Sequence, residues 1–170
     1  MKGFETLAED FENQRVFQSN FFWEIDVPDG FEDWFRNNGE YFSPSKKSIP
    51  IYLNVTQTTA GQCFHNSQLL CINNEVIDYY EGIIYGPKYK TALHHGFSIL
   101  NKSTIDITYI YNKEKFHNED RRDKNYIYFG VKIPKEFILK YSKNIKIPNQ
   151  QNPLIVEYYK AFLANTNRKI

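Results

Sequence analysis

Five stretches in the middle of the chain, residues 49–55, 76–84, 91–100, 103–111 and 125–133, are dense in β-branched and aromatic residues and predict strands. Helical spacing marks the flanks. Phe4, Leu7, Ala8, Phe11 and Val16 predict a helix over 4–18, and Phe31, Trp34 and Phe35 a short one over 30–38. Pro134 opens a further helix holding Phe137, Ile138 and Tyr141, and Pro153 suits the first position of a last helix running to about Ala164. Asn37-Asn38-Gly39, Ser43 to Lys47 and the charged run Lys113 to Lys124 read as loops, the last either solvated or a lid near Asp106. Residues 62–73 differ from the other helices. Cys63, Phe64, Leu69, Leu70, Cys71 and Ile72 form no single stripe, which predicts a mostly buried helix. Strands so close in sequence favour an antiparallel sheet, so the expected class is α+β: one domain over 1–170, core motif region about 49–133, helices at both termini, and the 62–73 helix packed on one sheet face.

Asn101-Lys102 is a plausible two-residue turn between the strands 91–100 and 103–111. If Leu100 pairs with Ser103, His95 lies opposite Thr108 and Phe97 opposite Asp106, and all four side chains share one face. His95 and Asp106 are then diagonal neighbours within reach of each other. A three-residue turn would flip the parity and bring His94 to Asp106 instead. Asp106 stands between Ile105 and Ile107 in an apolar run, where a carboxylate needs a partner.

Cys63 follows Gly61 at the start of the buried helix. Helix N-termini favour anionic groups, which is where an activated thiol belongs, and Gly61 permits the sharp entry. The Cys63 amide and Gln57, six residues upstream, are candidate donors to an oxyanion, with Gln62 counted among the same contacts. A thiol needs a base and the base an orienting group, so Cys63, His95 and Asp106 form a candidate catalytic set. The plainer alternatives are a buried apolar cysteine, as expected of Cys71, and a strand histidine hydrogen-bonded in a half-buried site. Glu81 is a candidate substrate contact or an acceptor near His95, or else it faces water.

The order Gly-x-Cys, His-Gly-Phe and Asp-Ile-Thr, at Gly61 to Cys63, His95 to Phe97 and Asp106 to Thr108, resembles the core of transglutaminase-like cysteine enzymes, where His-Ala-Trp and Asp-Pro-Thr follow the nucleophile. The resemblance covers residues 57–110. It implies a nucleophile at Cys63, a base at His95, an orienting acid at Asp106, and matches at Phe97 and Thr108. Gln57 is similar to the oxyanion glutamine of the wider papain-like superfamily, although the interval from Cys63 to His95 is far shorter than papain's. Tyr80-Glu81-Gly82 and Tyr128-Phe129-Gly130-Val131, with the His95 and Asp106 motifs, also resemble small bacteriophage and bacterial proteins.

A net charge of +1 gives no electrostatic reason for nucleic acid as the main partner. No apolar run approaches the ~20 residues that span a bilayer, and the N-terminus lacks a signal-peptide core, so a cytoplasmic protein is expected, in the host cytoplasm if phage-encoded. Two cysteines on one helix cannot bridge each other, and His65, His94, His95 and His117 make no metal-ligand spacing with them, so neither a metal nor a cofactor is expected. The aromatic content of 17% reflects AT-rich coding or tyrosines placed around a pocket, among them Tyr79, Tyr80, Tyr85, Tyr89, Tyr109, Tyr126 and Tyr128. The sequence therefore favours a cysteine hydrolase or acyl transferase acting on a peptide or small-molecule amide. The alternatives are a phage-type protein capturing a small host metabolite or signalling nucleotide, and a protein-binding inhibitor.

Overall fold

The computed structural model describes residues 9, 27–43, 59, 61–86, 91–108, 126–141 and 153–166. Gln57, the 49–55 strand, the 113–124 loop and, apart from Glu9, the 4–18 helix lie outside the described residues. In chain order the described elements are α1 (Phe31–Asn38), β1 (Glu40–Phe42), α2 (Cys63–Asn73), β2 (Asp78–Gly86), β3 (Thr91–Leu100), β4 (Ser103–Ile105), β5 (Ile127–Ile133), α3 (Lys135–Tyr141) and α4 (Ile155–Thr166). They form an α+β fold around a five-stranded sheet of order β1-β5-β2-β3-β4, antiparallel throughout.

Strand alternation gives the sheet two different faces. Tyr79, Ile83 and Tyr85 of β2, with Ile127, Phe129, Val131 and Ile133 of β5, point to the face covered by helices. There they meet Phe31 and Phe35 of α1, Leu70 and Cys71 of α2, Ile138 of α3 and Ile155 and Tyr159 of α4 in the main core. The opposite face carries a smaller aromatic cluster of Phe42, Tyr80, Phe97, Ile99 and Tyr128, whose rings meet mostly at steep angles, as between Phe42 and Tyr80 with centroids 4.8 Å apart. Tyr79, Tyr80, Tyr85 and Tyr128 are buried in these two clusters. Their rings are packing groups, and among the described tyrosines near the strands only Tyr126 is half-buried.

The β3–β4 turn has the predicted two residues. Asn101 and Lys102 sit at φ 49° and 64°, the paired positive values of a type I′ turn, and Leu100 pairs with Ser103. The ladder then stops early. The strand expected over 103–111 ends at Ile105, Asp106 leaves the sheet, and Ile107 and Thr108 turn into helical backbone, so Thr108 does not pair with His95. Side-chain bonds at Asp106 and Thr108, described below, take the place of the missing ladder. The short strand β1 was not anticipated; the helix expected over 30–38 runs Phe31–Asn38, so Asn37 and Asn38 belong to it and not to the loop also expected there.

Helix α2 lies against β3 with unusual closeness. A Cβ on Gly96 would fall 2.9 Å from the Phe64 Cα and 3.1 Å from the Tyr79 hydroxyl, so only glycine fits there. Ser67 Oγ donates to the Gly96 carbonyl at 2.9 Å, and Gln68 Nε2 to the Tyr79 hydroxyl at 3.2 Å. These buried polar contacts explain why α2 has no clean apolar stripe: residues 63–68 are all buried, and Asn66, Ser67 and Gln68 bond to neighbouring elements.

Candidate functional site

Gly61 adopts φ +74° just before α2, with no atom near enough to crowd a side chain. Its role is conformational. A left-handed backbone turns the chain into the helix so that Cys63 is its first residue. Gln62 occupies the cap position without forming a side-chain cap, and its Oε1 is buried without a hydrogen-bond partner among the described residues.

Asn66, one turn into α2, organises the surroundings. Its Oδ1 accepts from the Thr59 amide at 3.0 Å, while its Nδ2 donates to the Thr59 carbonyl at 2.8 Å and to Thr108 Oγ1 at 2.8 Å. A single amide thereby ties the approach to Cys63 to the segment that follows Asp106. Thr108 is buried in this bond, so its hydroxyl serves to hold the backbone.

His95 points to the aromatic face of the sheet. Asp106, freed from the ladder one residue beyond β4, brings Oδ2 to 2.6 Å from His95 Nε2. The side chains are only 14% and 5% exposed, respectively. β4 covers β3 only from Ser98 to Leu100, and no other described strand pairs on that side. The start of α2 reaches His95, and the imidazole hydrogen-bonds Cys63. With Nε2 held by Asp106, Nδ1 is the nitrogen left for sulfur.

Burial pulls the His95 pKa down, but the Asp106 charge and hydrogen bond, together with the hydrogen bond and charge of Cys63, outweigh it and raise it to about 10. The raised pKa favours the protonated ring, in which both nitrogens donate. Asp106 Oδ2 has a further donor in the Tyr128 hydroxyl at 3.0 Å, which comes from β5 across the sheet. The Tyr128 and His95 rings lie 6.1 Å apart.

Of the expected site residues, Cys63, His95 and Asp106 come together. Phe97 does not reach them as a binding surface; it is fully buried in the aromatic cluster, stacked at 5.8 Å on Tyr80. Glu81 points to the other face of the sheet from His95 and is wholly buried. It accepts from the Tyr79 hydroxyl at 2.9 Å and the Leu154 and Ile155 amides at 2.7 and 3.2 Å, and its Oε1 lies 3.0 Å from His94 Nε2. This carboxylate caps the N-terminus of α4, where the helix dipole and two backbone donors favour negative charge. Burial, then the Glu81 charge, raises the Tyr79 pKa far above its ordinary value, so the hydroxyl stays protonated and donating. His94 belongs to this network, with its ring against Phe64 at 4.7 Å.

Cys71 is buried with Sγ 3.3 Å from the Ile77 carbonyl, and burial raises its pKa to about 11. His65 is also buried on α2, and burial lowers its pKa, which keeps it neutral. Among the described residues no cluster of three or more His, Cys, Asp or Glu is arranged to hold a metal, and no described helix is long and apolar enough to cross a membrane. Tyr128 is singled out by the sequence only as a candidate pocket tyrosine, not as a partner of Asp106, and Asn66 is not singled out. An apolar-looking strand gave no sign of a donor to Asp106, and only a run of polar residues inside a buried helix hinted at Asn66. No family model, curated protein or solved structure matches the chain.

Proposed function

We propose that the protein is a cysteine-dependent hydrolase or acyl transferase acting on an amide or related acyl bond. The observation that carries this reading is the 2.6 Å contact between His95 and Asp106, formed in a nearly buried site where the same imidazole also bonds Cys63. A histidine held between a thiol and a carboxylate is what nucleophilic sulfur chemistry requires. Cys63 attacks the acyl carbon as a thiolate, forming the C–S bond as the carbonyl π electrons move to oxygen. The Cys63 amide at the helix start is the candidate donor to that oxyanion, and Gln62, whose buried Oε1 has no hydrogen-bond partner among the described residues, is a further candidate substrate contact. His95 then gives its proton to the departing amine while the oxyanion collapses to a thioester. Water or a second amine attacks the thioester, His95 takes a proton from it, and Cys63 leaves as thiolate. Asp106 keeps Nε2 protonated throughout and offsets the imidazolium charge.

The order of thiol helix, histidine strand and acidic residue beyond the next turn supports a transglutaminase-like relationship within the papain-like superfamily as part of this proposal, with a peptide or small-molecule amide as substrate and the cytoplasm as its place of action. Intact-mass measurement after incubation with a library of amides and activated esters tests it. A Cys63-dependent acyl adduct, or turnover lost in Cys63→Ser, is expected. An unmodified ligand retained equally by the parent and Cys63→Ser, with no turnover, would replace the enzyme reading with a capture protein.

A further inference from the structure

Tyr128 is the buried group at this site that the reaction scheme above does not use. Its hydroxyl donates to Asp106 Oδ2 at 3.0 Å, the same oxygen that receives His95 Nε2 at 2.6 Å. The ring is fixed from below, 5.1 Å from Phe97, and is almost wholly buried. One carboxylate oxygen thus serves two donors from two different strands.

We infer that Tyr128 is a positioning residue that fixes Asp106 against His95 and limits how strongly this carboxylate holds the imidazolium proton. The inference rests on the reading of His95 as the proton carrier of a thiol reaction. A hydrogen bond to a carboxylate stabilises its charge and weakens its pull on any other proton. Without the Tyr128 donor, the whole charge on Oδ2 turns to His95, which then releases its proton less readily to a leaving amine. The charged or titratable groups facing His95 among the described residues are Cys63 from α2, Asp106 beyond β4 and Tyr128 from β5. Glu81 and His94 lie on the other face of the sheet.

The test follows the His95 ring by nitrogen-detected NMR titration in Cys63→Ala protein, which removes the thiol's own contributions and brings the midpoint below the value of about 10. This readout needs no substrate and no thiol chemistry, so it stands or falls apart from the proposed activity. Adding Tyr128→Phe, which keeps the ring and its packing, should raise the midpoint by roughly half a unit or more. The same substitution in an Asp106→Asn background should leave the midpoint where it was, because the effect passes through the carboxylate. Phe97→Leu, which disturbs the packing under Tyr128 and keeps its hydroxyl, should not move it in either background. A midpoint that is unchanged or lowered by Tyr128→Phe, or a rise that persists with Asp106→Asn, would overturn the inference.

Discussion

Replacing Gly96 with alanine adds one methyl group at the place where the thiol helix rests on the histidine strand. The new Cβ would sit 2.9 Å from the Phe64 Cα, 3.0 Å from the Phe64 ring and 3.1 Å from the Tyr79 hydroxyl. The nearest of these is backbone, so no rotamer change relieves it, and α2 must move off β3 by some tenths of an ångström. Overpacking of this kind costs about 1–3 kcal/mol. At roughly 2–4 °C per kcal/mol for a chain of this size, thermal melts followed by circular dichroism should show a clear loss. The movement also strains the Ser67-to-Gly96 bond of 2.9 Å and shifts Cys63, one residue before Phe64, relative to His95, one residue before Gly96. Small displacements between reacting groups are expensive, up to roughly a hundredfold per ångström, so Cys63 alkylation should slow more than the stability loss explains. Gly61→Ala is the informative contrast: no atom lies near its added methyl, and its cost should come from φ +74° alone, about 1 kcal/mol. A Gly96→Ala protein with parental melting temperature and thiol reactivity would refute the close seating of α2 on β3.

Glu81→Ala should destabilise the fold by about 3–5 kcal/mol, measured by urea unfolding, because it strips the acceptor from Tyr79, His94 and two amides of the last helix. Stability should also fall with rising pH through the His95 transition. The folded-state pKa of about 10 lies above the ordinary 6.5, so this contribution is complete below about pH 6.5 and lost as pH rises through about 10, and Asp106→Asn should flatten that slope in urea titrations at fixed temperature. Asn66→Ala should loosen both the approach to Cys63 and the segment at Thr108, seen as faster amide exchange at Thr59 and Thr108.

The sheet, its antiparallel pairing and the hairpin register were legible because period-two patterns and a two-residue turn carry register directly. The pairing of Leu100 with Ser103 is enough to bring His95 and Asp106 to one side of the hairpin. The end of β4 was not legible, because the apolar run 105–111 reads as strand whether or not the ladder continues. What ends it is tertiary: His95 and Tyr128 bond Asp106, and Asn66 bonds Thr108. Glu81 shows the limit of strand alternation. The pattern allows it to sit near His95 or face water; the β2–β3 register puts it on the face opposite His95, and only the path of a segment more than seventy residues later shows that two amides meet its carboxylate. Phe97 illustrates the converse, since a residue two positions from His95, read as a candidate contact, is core.

The rate of iodoacetamide incorporation at each cysteine near neutral pH tests the central claim most directly, comparing the parent with His95→Ala by peptide mass mapping. If His95 and Cys63 act as an ion pair, Cys63 should label readily in the parent and at least roughly tenfold more slowly without the imidazole, while buried Cys71, with its pKa pushed up to about 11, stays unlabelled in both folded proteins. Equal rates at Cys63 with and without His95, or labelling of Cys71 as fast as Cys63, would contradict it.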